Sequence, residues 1–307
     1  MTKDRKIAYL ALLGNLILWG LAIPIAKRGF ADGLTPSAFL LGRFILAAAF
    51  SLPIILAMRH RPDVRTTFQP KNVLSIIILE ILGTVLSLWL LYEGVARTSG
   101  VEASLIAITW PIFVVIGAVF FLKEKEERHE LVGLALAIAG TVLLVLKPLI
   151  DSGLSGNVIG NLLIVGQNIA ISAYYLLAKR LYKHWNKWAV THISFWTGII
   201  GFGLIQLLQG APILPPLSFW PLAAIVYMAI GGSILGLTLY LIGQDKIEAS
   251  EAAVFTYLEP AIGIPASMLL LKESVSFLEV LGALIIAAGV YLVEIRPKRK
   301  KPSITTG

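Results

Sequence analysis

Two carboxylates and one guanidinium stand deep inside apolar stretches of this 307-residue sequence: Glu80 in Leu79-Glu80-Ile81, Arg43 in Gly42-Arg43-Phe44 and Glu259 in Tyr257-Leu258-Glu259-Pro260. An acid at membrane depth costs about 2.5 kcal/mol or more unless it is paired, hydrated or protonated. Such a group can carry a proton or hold a substrate ammonium. Two of them close together suit proton carriage, because like charges resist ionising side by side. Arg43 can attract a substrate carboxylate or pair with Glu259, and a fixed bridge that merely anchors its helix is an equal reading. Trp19, Trp110, Tyr174 and Tyr257 offer ring faces to a cationic or aromatic solute, although aromatic side chains also fill cores. Pro111 and Pro260 fall near the middles of their apolar stretches. Each removes a backbone hydrogen bond, which frees the carbonyls of Ala107 and Thr256. The two prolines read as hinges or gates beside a cavity, with static kinks repaired by packing as the plainer account.

The chain specifies much of the surrounding framework twice. Pro111, Leu122-Lys123-Glu124, Glu130, Gly133 and Gly140 return 149 residues later as Pro260, Leu271-Lys272-Glu273, Glu279, Gly282 and Gly289. Over 111–146 against 260–295, nine of 36 positions are identical without a gap, and Glu102-Ala103 matches Glu251-Ala252. A period of half the chain is too long for a solenoid, so 1–150 and 151–307 read as two related halves of one integrated unit. In this register Trp110 stands where the second half has Glu259, which would make one wall of a shared site aromatic and the other acidic.

Composition sets the environment. Hydrophobic residues make up 57% and charged residues 14%, with a mean hydropathy of +0.82, whereas soluble domains carry roughly 25% charged residues. The net charge of +8 comes in short basic clusters between apolar runs, a membrane pattern that argues against nucleic acid as a partner. The sequence contains no cysteine and four scattered histidines, so disulfides are excluded, no metal site is expected and no cofactor is called for. The first apolar run follows Lys3-Asp4-Arg5-Lys6 but continues past Gly20 into Pro24 without a cleavage site, so it reads as a helix and not as a leader.

Ten segments approach the length of about 20 apolar residues that a spanning helix needs: 7–27, 36–58, 72–92, 101–121, 130–147, 157–179, 188–209, 218–241, 249–270 and 277–295. Their connections place 20 basic residues on one side and 5 on the other, which puts both termini in the cytoplasm. The fold class is therefore all-α integral membrane. Five helices per half is an odd number, so the halves lie in the bilayer with opposite orientation. Inverted repeats of this kind are a recurring construction of secondary transporters, with the substrate near the midplane. Glu93, Glu102, Glu251 and Glu294 lie near segment ends and read as interfacial. His192 reads as a cap or headgroup contact, Trp185 and Trp188 as an aromatic belt, and the Arg296 to Lys301 tail as a topological anchor. The spaced glycines, including Gly232 and Gly236, read as packing positions that leave monomer and homodimer both open.

On these residues the sequence resembles the ten-helix, EamA-like branch of the drug/metabolite transporter superfamily. The likeness is carried by Trp19-Gly20, Arg43 after Thr35-Pro36, Tyr257-Leu258-Glu259-Pro260, Leu271-Lys272-Glu273 and the glycines 282 and 289. It implies export of small metabolites such as amino acids across the cytoplasmic (inner) membrane, with proton or substrate exchange as the coupling. Combined with the deep charges, the expectation is alternating-access export of zwitterions, with Glu259 or Glu80 at the ammonium and Arg43 at the carboxylate. A sugar-nucleotide or sugar-phosphate exchanger is the alternative, but phosphate recognition calls for several convergent basic groups and only Arg43 is deep. An intramembrane enzyme would need paired Asp ligands or a Ser/His constellation, and no Asp lies within a segment. A non-transporting receptor is disfavoured by the inverted repeat.

Overall fold

In the computed structural model the described residues are 3–122, 128–152, 156–182, 185–212, 215–247 and 255–294. Lys123, Glu124, Lys183, Glu251 and the tail from Arg296 lie outside them. The described residues contain helices and no strand. Eight helices are long and apolar enough to cross a membrane: α1 (Asp4–Ala31), α2 (Pro36–Met58), α3 (Pro70–Arg97), α4 (Gly100–Gly117), α5 (Leu131–Leu149), α6 (Asn157–Ala178), α7 (Lys187–Leu208) and α8 (Phe219–Gly243). Two shorter apolar helices follow, α9 (Phe255–Leu271) and α10 (Phe277–Leu292).

Local sequence explains where helices begin. The Thr35 hydroxyl accepts from the Ala38 amide at 3.2 Å with Pro36 at the first helical position, as the Thr35-Pro36 pair predicts. Ser99 caps α4 through the Glu102 amide at 3.0 Å, and Asn186 caps α7 through the Ala189 amide at 3.1 Å. Several helices are not continuous. α1 is interrupted at Leu21, and α4 and α9 break at Ile108-Thr109 and Leu258-Glu259, each just before its proline. α3 and α8 widen into π-helix over Ile81–Leu86 and Tyr227–Gly236. Shifted by the sequence offset of 149, the first π stretch falls inside the second. π-helical turns commonly sit at functional sites.

The helix pairings follow the same pattern. α2 packs on α7, α4 on α9 and α5 on α10, while α3 lies against α6 and α8 against α1, and α4 touches α6 as α9 touches α1. Moving every member five helices along the chain returns the same set of pairs. α5 and α10 meet through glycine: a Cβ on Gly140 would come within 3.0 Å of the Gly282 carbonyl, and one on Gly289 within 2.6 Å of the Gly133 carbonyl. The close approach expected of small residues in lipid is thus used between two helices of this chain. Gly236 serves likewise, because a Cβ there would meet the Trp19 indole nitrogen at 2.5 Å. The largest core cluster joins Phe39, Phe44, Tyr92 and Phe202, with Phe39 and Tyr92 rings edge to face at 4.7 Å. Outward faces carry exposed apolar residues such as Leu208 and Leu269, the surface a lipid-facing helix presents.

Candidate functional site

The two prolines end the first half of their helices by the same backbone geometry. In α4 the Thr109 amide donates to the Ile106 carbonyl at 3.1 Å and the Ile112 amide to the Thr109 carbonyl at 3.0 Å. In α9 the Leu258 amide donates to Phe255 at 3.1 Å and the Ala261 amide to Leu258 at 2.9 Å. Both sets are tight three-residue turns, and each bond of one maps onto a bond of the other at an offset of 149. This corrects one expectation. The Thr256 carbonyl is not freed, because the Glu259 amide turns back to it at 3.1 Å.

Around the breaks stands a wall of rings. Trp110 stacks on Tyr175 with centroids 5.0 Å apart, and Tyr174 meets Tyr175 edge to face at 5.6 Å. Trp19 lies 5.4 Å from Tyr240 and donates its indole hydrogen to the Gly232 carbonyl of the π stretch at 3.1 Å. Glu259 is within electrostatic reach of both Tyr175 and Tyr240. Its Oε1 is buried and has no hydrogen-bond partner, a costly state for a polar atom and one that an incoming N–H would relieve.

Glu80 differs in kind. It is 1% exposed, and its Oε1 accepts the hydroxyls of Tyr174 at 2.8 Å and Tyr182 at 2.9 Å. Its Oε2 accepts Ser194 at 2.8 Å and also Thr84. Four hydroxyl donors match the acceptor capacity of a carboxylate, so no lone pair is left over for a solute. Glu80 therefore ties α3 to α6 and α7 and positions the Tyr174-Tyr175 wall. Gly83, one turn on, permits this, because a Cβ there would lie 2.1 Å from the Tyr174 ring.

Arg43 reaches across to the second π stretch, where its Nε donates to Ser233 Oγ at 2.9 Å. No salt bridge joins it to an acid among the described residues, so the anticipated Arg43 to Glu259 bridge is replaced by a neutral bond. Ser233 also lines a cavity of about 610 Å³ between α2, α7 and α8. Its inner walls are Phe195, Leu237 and Thr238, and its mouth carries Arg61, Asp63, Lys187 and Asp245. Asp63 accepts from Asn186 Nδ2 at 2.8 Å, and this bond holds its carboxyl below the usual carboxylate range, so Asp63 stays ionised beside Arg61 and Lys187 at the mouth. Trp185 and Trp188 line the cavity and so do more than form a belt. His192, expected at a surface, is buried, with Nδ1 2.7 Å from Ser51 Oγ and Nε2 accepting from Trp196 at 3.1 Å.

Of the seven candidate residues, Glu80, Tyr174 and Trp110 are joined through direct contacts of Tyr174 and Tyr175, Trp19 contacts Tyr240, and Glu259 is within electrostatic reach of Tyr175 and Tyr240. Arg43 bonds Ser233, which lines the cavity. Tyr257 departs from the set. It lines an apolar groove of about 720 Å³ between α4, α9 and α10. Tyr175, Tyr182, Ser194, Ser233 and Tyr240 were not singled out as site residues. For Ser233 a signal existed, since it is the position matching Thr84 at the repeat offset.

The sequence model of the EamA-like transporter family matches residues 6–146 and again 158–295. The chain belongs to this family. It is similar to the uncharacterized transporter YetK of Bacillus subtilis, 25% identical with 97% of this chain and 90% of that protein covered. A protein of Salmonella typhimurium named as a probable amino-acid metabolite efflux pump is 27% identical over 94% of this chain and 95% of its own length. A solved crystal structure shares the fold with a TM-score of 0.62 at 20% identity, covering 93% of this chain and 95% of that one. The candidate pocket is therefore the interior of a multi-pass membrane transporter.

Proposed function

We propose that this transporter exports small zwitterionic metabolites, amino acids or close analogues, across the cytoplasmic membrane by alternating access. Ten helices in two inverted five-helix repeats, with both termini cytoplasmic, form the working unit. The double match of the family model, the π stretches related by 149 residues and the paired proline breaks support that architecture. The observation that carries the substrate class is the buried Oε1 of Glu259, without a hydrogen-bond partner among the described residues and within electrostatic reach of Tyr175 and Tyr240. An ammonium supplies N–H donors to that oxygen and a positive charge to the ring faces. Arg43, behind the cavity residue Ser233 and bonded only to the neutral hydroxyls of Ser233 and Tyr92 among the described residues, has donors left for a carboxylate. The likeness to a probable amino-acid metabolite efflux pump points the same way. Protons are the candidate coupling ion.

The test is uptake into proteoliposomes of labelled amino acids, nucleosides and sugar phosphates, with and without a pH gradient. Saturable amino-acid flux is expected, and Glu259→Gln and Arg43→Ala should each reduce it at least about tenfold, the loss of one charge-assisted hydrogen bond, while the proteins remain folded. Flux of phosphorylated solutes alone would overturn the reading, as would undiminished amino-acid flux in both variants.

A further inference from the structure

At the far end of α3 from the Asp63 mouth lies a buried cluster of charges that the substrate reading leaves unused. α3 has 28 residues and so separates the two by about 42 Å. Lys147 Nζ of α5 stands 3.1 Å from Glu102 Oε1 of α4 and 3.5 Å from Glu279 Oε1 of α10. Glu102 and Glu279 are 1% and 2% exposed. Glu102 Oε2 accepts from Thr98 Oγ1 at 2.7 Å and from Asn161 Nδ2 of α6 at 3.0 Å. Glu273, between α9 and α10, accepts the first two amides of α4, Gly100 at 2.8 Å and Val101 at 3.1 Å. Lys27 of α1 closes the group, donating to the carbonyls of Val95 at 3.1 Å and Thr98. These ionic and polar contacts cross from α4 and α5 to α6, α9 and α10, beside apolar ones such as Leu144 against Gly282.

We propose that the Glu102, Lys147 and Glu279 cluster, with Asn161 and Glu273, is an ion-pair gate that seals this end of the transporter and separates once per cycle. The inference rests on the transport reading. A buried ion cluster gains little net stability over water, because its desolvation cost offsets the attraction. When the helices part, every one of its charges is hydrated, so opening and closing stay nearly balanced in free energy. An apolar seal would lose that balance each time it was wetted. The sequence also repeats the four charges at the 149 offset, as Glu251, Arg296, Glu124 and Glu130, of which Glu251, Arg296 and Glu124 lie outside the described residues. Charges needed only to anchor one corner have no reason to recur in the sequence.

The lack of native cysteine makes the test clean. Ser104 is buried on α4, one turn beyond the Gly100 carbonyl that its hydroxyl contacts at 2.7 Å. A single Ser104→Cys reporter, in full-length protein in lipid nanodiscs, is treated with a membrane-impermeant maleimide. Lys147→Met and the milder Glu279→Gln should each speed labelling about tenfold, and Lys147→Arg should restore protection. Unchanged labelling in folded Lys147→Met or Glu279→Gln protein overturns the gate. Faster labelling in a protein that moves no solute would keep the gate and reject the transport reading, so the two failures are distinguishable.

Discussion

The two proline breaks share a backbone and differ in what holds them. At the α4 break, Asn168 Nδ2 donates to the Ile106 carbonyl at 2.8 Å and to Thr109 Oγ1 at 2.9 Å, and Ser172 Oγ donates to the Trp110 carbonyl at 2.8 Å. At the α9 break, the Glu259 carbonyl faces Gly20 of α1, and among the described residues no side-chain hydrogen bond reaches it. The Ala26-Lys27-Arg28 and Ala178-Lys179-Arg180 matches align α1 with α6 at an offset of 152, and in that register Gly20 stands where α6 has Ser172. The same joint is therefore pinned in one half and left as a bare van der Waals seat in the other. The acidic side chain projects from the unpinned joint and the tryptophan from the pinned one. A substrate that binds Glu259 acts on the break that is free to move, while Trp110 supplies a fixed wall.

The largest effect should come from disturbing the bare seat. A Cβ on Gly20 would lie 2.7 Å from Ile262 Cβ and 3.0 Å from the Glu259 carbonyl. Neither atom is the far end of a flexible chain, so Gly20→Ala must displace α9. The cost should reach about 3 kcal/mol, the upper range for overpacking, read as a loss of unfolding free energy in mixed micelles. A neutral Gly20→Ala would mean that the seat is looser than its contacts imply. Next comes removal of the pins. Asn168→Leu removes two buried hydrogen bonds and should cost about 2 kcal/mol. Ser172→Ala, which removes one bond, should cost about 1 kcal/mol by the same assay. Equal costs for the two would mean that the paired bonds of Asn168 hold this joint no more firmly than the bond of Ser172.

Much of this arrangement was legible before any coordinates. Apolar length located the eight helices long enough to cross a membrane and the two shorter apolar helices that follow, because lipid allows few alternatives to a helix of that length. The offset of 149 identified the prolines, and the deep charges marked Glu80 and Glu259. Partnership was not legible. Glu80 and Glu259 look alike in sequence, yet one is fully hydrogen-bonded and the other has a bare oxygen. That difference depends on which faces of α6 and α7 turn toward α3, and helical periodicity says little when helices are apolar all round. Glu102 looked interfacial because it lies two residues inside its helix, but Lys147 of α5 and Asn161 of α6 close over it. The π stretches were invisible for a related reason. They coincide with close tertiary contacts, such as the Tyr174 ring on Gly83, and no residue pattern announces them.

The smallest effect sharpens the comparison most. Replacing either proline with alanine restores an amide that could straighten its helix. At Pro111, straightening would have to break the three bonds from Asn168 and Ser172, so the bend should persist and uptake in proteoliposomes should stay within about twofold, well under 1 kcal/mol. At Pro260 nothing comparable resists. The new amide competes with Glu259 for the Thr256 carbonyl, and that rotation would swing the Glu259 side chain away from Tyr175 and Tyr240. Pro260→Ala should therefore slow uptake about fivefold, ~1 kcal/mol, with little change in unfolding free energy. The double variant Pro260→Ala with Gly20→Ser adds the test that separates pinning from bending. The serine hydroxyl reproduces Ser172 but its Cβ meets Ile262, so uptake should fall below that of Pro260→Ala alone; recovery would show that a hydrogen bond to the Glu259 carbonyl, and not space at Gly20, is what the second joint lacks.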